Sequence, residues 1–215
     1  MKKLEHGRSM VEMLGVLAII GVLSVGAIAG YSKAMLKYKL NKQAQQLNTV
    51  INAVAKYAHS FDNFTELESM FPYLIKLGEI PKEMIKNSTS DIYDIFNMRM
   101  YAYIQPKNHT TEGSLQGVVA LYMFPNLTIK SNENLEICKN MLMVIKENSS
   151  NIDYTYSLTG IGTEDYRQSA FYGDESCTEH RKCLKNMTID NIYEHCTTHI
   201  DGGSTGGFTV VWKMQ

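Results

Sequence analysis

The side chains with metal-ligand chemistry gather near the C-terminus. Cys177, His180 and Cys183 stand three residues apart, and His195, Cys196 and His199 follow. Thiolates and imidazoles can hold zinc tetrahedrally, but structural zinc sites favour a C-x2-C knuckle, which is missing here. With Cys138 the cysteines form an even set of four, which in an oxidising compartment reads as two disulfides. Four cysteines permit three pairings, and the sequence does not choose among them. The favoured arrangement closes a small loop with Cys177–Cys183 and a long-range clasp with Cys138–Cys196.

Other chemistry has less support. Gly160-x-Gly162 and Gly202-Gly203-Ser204 are not a G-x-S-x-G elbow, and neither an H-E-x-x-H nor a Walker pattern occurs. The six histidines are scattered. The expectation is no enzyme and no cofactor. Arg181, Lys182 and Lys185 form a small basic cluster that reads as a solvated face, so nucleic acid is not an expected partner. Lysine and arginine number 21 against 22 acids, which gives no general attraction to nucleic acid or membrane surfaces. Six N-x-[ST] sequons would suggest glycosylation in a eukaryotic secretory pathway, whereas in a bacterial exported protein they would reflect an Asn- and Thr-rich composition.

The residue of greatest interest is Glu12. It lies near the start of a twenty-residue apolar run, MVEMLGVLAIIGVLSVGAIA, residues 10–29, and is its only charge. As a helix this run spans roughly 30 Å, the hydrocarbon thickness of a bilayer. A carboxylate inside such a segment costs roughly 2.5–3.5 kcal/mol. Glu12 is therefore expected to have a partner elsewhere. Lys2 and Lys3 precede the run and place the leader on the cytoplasmic side, with the rest of the chain outside.

Three readings compete for residues 1–30. A cleaved secretory signal is favoured by Ala27-Ile28-Ala29, an A-x-A site, but the apolar core exceeds the usual 7–15 residues. A plain membrane anchor explains the length and leaves Glu12 without a use. The third reading rests on Gly7-Arg8-Ser9-Met10-Val11-Glu12-Met13-Leu14 followed by GVLAIIGVLSVGAIAGY, which resembles the N-terminus of a type IV prepilin.

In that family a short basic leader ends in Gly, a membrane peptidase cuts after it, and Glu stands fifth in the mature chain. A cut after Gly7 makes Arg8 the first residue and Glu12 the fifth. The family usually has Phe, Met or Leu after the cut, and Arg8 departs from that. The short leader is like type IVa, whereas Met10 and the cysteine-bearing second half are like type IVb, so the subfamily stays open.

The resemblance implies a subunit held in the bacterial inner membrane as a single-pass protein with its C-terminus outside. Prepilin peptidase and the pilus assembly machinery would be its partners. It would then polymerise with copies of itself into an extracellular pilus or a periplasmic pseudopilus. It also implies that Glu12 neutralises the freed amine of a neighbouring copy. A minor pilin or type II secretion pseudopilin is the rival within the family, although Glu12 argues against the tip-most pseudopilin. Some pseudopilins carry a calcium loop. Asp165, Asp174, Glu175 and Asp201 are the acids available here, but no D-x-D-x-D-G pattern appears, so no metal is expected.

The positioning elements follow from periodicity. Leu36, Leu40, Leu47, Ile51, Val54 and Ala58 continue the apolar helix as an amphipathic one to about Ser60. Gly26 and Gly30 have G-x-x-x-G spacing, which permits close helix packing. The expected organisation is a leader at 1–7, an apolar assembly segment at 8–30, an amphipathic segment at 31–60 and a globular head at 61–215. Thr65-Glu66-Leu67-Glu68 matches a capping box for a helix that Gly78 and Pro81 end. Strands are predicted over residues 99–105, 118–124, 153–158 and 208–213, with a helix over 133–147. The fold class is α+β, a pilin-like roll with a long N-terminal helix on an antiparallel sheet of about four strands.

Overall fold

The computed structural model describes residues 10–61, 64–107, 115–124, 132–158, 170–201 and 207–214, with backbone alone at 124, 157, 158 and 198–201. The chain divides into two compact units, Met1–Lys39 and Leu40–Gln215.

Helix α1 (Met10–Ala58) opens the described chain and passes into a 3-10 turn, His59–Phe61. No proline interrupts its 49 residues. From Leu40 onward α1 belongs to the second unit. Its buried stripe is Leu47, Val50, Ile51, Val54 and Ala58, which share one helix face, and all five are fully buried. Burying each of the larger ones stabilises the unit by roughly 1.5–3 kcal/mol.

The stripe packs on an antiparallel sheet. Its strands are β1 (Glu68–Ser69), β2 (Ile92–Tyr93), β3 (Arg99–Gln105), β4 (Val118–Phe124), β5 (Tyr154–Leu158), β6 (Phe171–Tyr172) and β7 (Gly207–Lys213). The order is β1-β3-β4-β7-β5-β6, with β2 also paired to β3. Among the described residues the sheet has seven strands, against about four expected. The four long ones lie where the sequence placed them, and the added three have two residues each.

Alternation divides the sheet faces. Met100, Ala102, Ile104, Val119, Leu121, Met123, Phe208, Val210 and Trp212 join the α1 stripe in the main core. On the other face Val118, Ala120, Tyr156, Ala170 and Val211 form a second cluster, flanked by Tyr122, Tyr154 and Tyr172. Tyr101 and Tyr122 stack there with ring centroids 4.9 Å apart. Burial, reinforced by Tyr156, pushes the Tyr122 phenol well above its ordinary range and keeps it protonated.

One local expectation is overturned. Glu68 does not cap a helix: Glu68 and Ser69 form β1 and pair with Ile104 and Tyr103. Helix α2 (Phe71–Lys76) starts later, after Met70 and with no side-chain cap. Glu68 instead accepts a 2.6 Å hydrogen bond from the Tyr73 hydroxyl. The far end agrees with the sequence. Gly78 has φ +76°, Glu79 N–H bonds Leu74 O, and Gly78 N–H bonds Ile75 O, the double bond pattern of a Schellman stop.

Two further helices complete the unit, α3 (Asn132–Glu147) and α4 (Ile189–Asp201). The second was missed from sequence, although its start is signalled. Thr188 Oγ1 accepts from Asn191 N–H, and Asn191 Oδ1 accepts from Thr188 N–H, a reciprocal cap with Asn in place of Glu.

Candidate functional site

In the first unit, α1 carries twelve Met, Val, Leu and Ile side chains between Met10 and Ile28, and all are exposed, from 53% at Val16 and Ile20 to 83% at Met10. A helix that is apolar all round requires apolar surroundings. By length and composition this one could cross a membrane. Glu12, also exposed, sits in the first described turn, where a negative charge complements the helix dipole.

A Cβ added at Gly26 or Gly30 would meet nothing within 4 Å. Among the described residues no contact therefore demands a glycine at either position. Gly7 and Arg8 lie outside the described residues.

In the second unit, all four cysteines are bonded: Cys138 to Cys196, and Cys177 to Cys183. The first bond ties α3 to α4, and the second closes an exposed loop. No thiolate remains for zinc. Burial lowers the pKa of His195, whose ring meets the edge of Phe171 at 5.4 Å. His180 is exposed, and the side chain of His199 lies outside the described residues. Among the calcium candidates Asp174 and Glu175 are exposed. Asp165 and the Asp201 side chain lie outside the description, as do Gly160, Gly162 and 202–204. Among the described residues no three metal-ligating side chains converge.

The basic cluster is engaged locally. Arg181 lies over the Tyr172 ring at 4.4 Å and donates to Ser176 O at 2.8 Å, and Lys182 approaches the Phe171 ring at 5.9 Å. Lys185 is exposed.

Sequence reasoning missed a buried polar cluster on α1. Gln43 and Gln46 occupy the buried face beside the apolar stripe. Gln43 bonds Asp94 at 2.8 Å, and Gln46 Oε1 accepts from Ile95 N–H at 2.9 Å. Burial raises the pKa of Asp94, opposed by hydrogen bonds from Met98 and Phe96 N–H and from Gln43. A polar residue within an otherwise apolar stripe was the available signal.

No protein-family model matches the chain, and no curated protein matches it.

Proposed function

We propose that the chain is the subunit of a type IV pilus-like filament. It waits in the bacterial inner membrane as a single-pass protein with the head outside, and prepilin peptidase cuts it after Gly7. The observation that carries this reading is the helix from Met10 to Ile28. All its large apolar side chains are exposed, and a single carboxylate, Glu12, stands at its start. Lipid can satisfy those side chains first, and like helices from other copies afterwards.

Glu12 then has a use that an anchor would not give it. In low dielectric a charge without a partner is strongly penalised and a matched pair much less so. The freed amine of a neighbouring copy supplies the match, so the carboxylate fixes register more than it adds net stability. A head braced by two disulfides suits an oxidising exterior.

Mass spectrometry of the mature N-terminus tests the reading. A chain beginning at Arg8, recovered in filaments sheared from cells, is the expected result. A soluble chain beginning at Gly30 would overturn it.

A further inference from the structure

The charges on α1 are arranged unevenly. Glu12 is its one acid, and Lys33, Lys37, Lys39, Lys42 and Lys56 are its bases. Lys42 pairs with Glu83 at 2.6 Å and Lys56 with Glu79 at 2.7 Å. Lys33 and Lys37 are exposed and have no acidic partner among the described residues. They stand one helical turn apart, where like charges repel unless an anion sits between them.

Depth gives the identity of that anion. If the span occupies residues 10–29, Lys33 lies about 6 Å beyond it and Lys37 about 12 Å. The polar headgroup layer is roughly 5–8 Å thick on each side. Lys33 falls inside that layer, and Lys37 reaches back to it with a long side chain. Tyr31 and Tyr38, two turns apart on another face, are 66% and 59% exposed. Tyr31, about 3 Å beyond the span, is at the depth of a typical membrane-interface anchor, and Tyr38, about 14 Å beyond it, lies past the headgroup layer beside Lys37.

We infer that Lys33 and Lys37, flanked by Tyr31 and Tyr38, form an interfacial collar that binds anionic phospholipid headgroups in the outward-facing leaflet. This rests on α1 spanning a membrane. Basic residues are ordinarily kept off the translocated flank of a span, and here they occupy it. The chain as a whole is close to neutral, at −1, so net charge supplies no general attraction, and on the outward flank Lys33 and Lys37 are the exposed lysines nearest the span. A parallel α1 from a second copy offers no alternative counter-ion at the same depth, because its one acid lies about 32 Å away along the helix.

The test uses the full chain reconstituted in phosphatidylcholine bilayers with trace spin-labelled phosphatidylglycerol or phosphatidylcholine. Electron paramagnetic resonance then reads how much of each lipid the protein immobilises. The expected preference for phosphatidylglycerol is roughly fivefold for each lysine at low salt, shrinking as salt is raised. Lys33→Gln with Lys37→Gln should remove the share of these two lysines and leave only what Lys2, Lys3 and Arg8 at the other end of the span contribute, and Lys33→Arg with Lys37→Arg should preserve the native ratio.

Equal immobilisation of both lipids by the native chain would overturn the collar and leave the membrane reading standing. So would an undiminished preference in the glutamine variant. Immobilisation of neither lipid would overturn the collar together with the membrane span.

Discussion

Gln43 donates through Nε2 to Asp94 Oδ2 at 2.8 Å while its Oε1 accepts from Asn140 Nδ2 at the same distance. One fully buried amide thus joins α1 to the turn after β2 and to α3. Asp94 Oδ1 takes the Phe96 and Met98 N–H groups at 2.9 and 2.8 Å, and Asn140 also donates to Leu40 O at 2.9 Å. The cluster binds three stretches of chain that share no local sequence.

Replacing this amide with a hydrocarbon of similar size tests its weight. Gln43→Leu leaves a carboxylate oxygen without its donor and deprives Asn140 of one acceptor, so a loss of roughly 2–4 kcal/mol is expected. Urea unfolding of the full chain in detergent measures it. A loss below about 0.5 kcal/mol, the range of ordinary surface changes, would contradict the assignment.

Burial moves two groups in this unit in opposite directions, and the signs differ at the level of stability. Asp94 is raised from its ordinary 3.8, so its contribution is full below that pH and lost as pH rises through the folded value. His195 is lowered from 6.5, so its contribution is full above 6.5 and lost as pH falls through the folded value. Compared with native protein, Asp94→Asn should remove the loss on the rising side and His195→Gln the loss on the falling side. Stability curves taken across the acidic range check this, and parallel curves for native and variant would refute it.

The disulfides should differ in weight. Cys138–Cys196 spans 58 positions and Cys177–Cys183 spans 6. Loop-closure entropy assigns about 4 kcal/mol to the first and about 2 kcal/mol to the second. Replacing each pair by alanine and measuring thermal unfolding should show the larger drop for Cys138 with Cys196. Equal drops would mean that the unfolded chain is already constrained between α3 and α4.

These sites show what the sequence makes legible. Strand β3 and helix α3 are readable because each has seven or more residues of one clean period, and β4 because it is an apolar run of strand length, VVALYMF. The two-residue strands have no period at all. Glu68 and Ser69 become extended because β3 offers them partners in Ile104 and Tyr103, 36 and 34 positions away in sequence, which overrides the local capping pattern. Helix α4 is obscured in the sequence because His195, Cys196 and His199 carry metal-ligand chemistry that masks its helical spacing. Ile192 and Cys196, four apart and both buried, are its inward face.

Gly173 is a further case. A Cβ there would lie 1.6 Å from Ile152 O, a close approach that no local pattern announces. The Gln43–Asp94 bond crosses 51 positions and was equally hidden. Glu12 was legible for the opposite reason, since a charge among apolar neighbours stands out without any long-range contact.

Glu12 therefore supports the most direct prediction about function. Removing its charge relieves a cost of roughly 2.5–3.5 kcal/mol in the membrane, so Glu12→Gln should insert at least as well as the native chain. Leader removal after Gly7 should persist, because the altered side chain lies five residues beyond the cut. In the proposed filament the same variant would have no carboxylate to meet the amine of an incoming copy, and that amine would enter an apolar core without a counter-ion. Its yield in sheared filaments should fall by a factor of ten or more, equivalent to about 1.4 kcal/mol. Membrane fractionation, mass spectrometry of the N-terminus and immunoblots of sheared filaments read the three steps separately. Filaments formed at native yield would remove the pairing role, whereas failure of insertion or cleavage would place Glu12 at an earlier step.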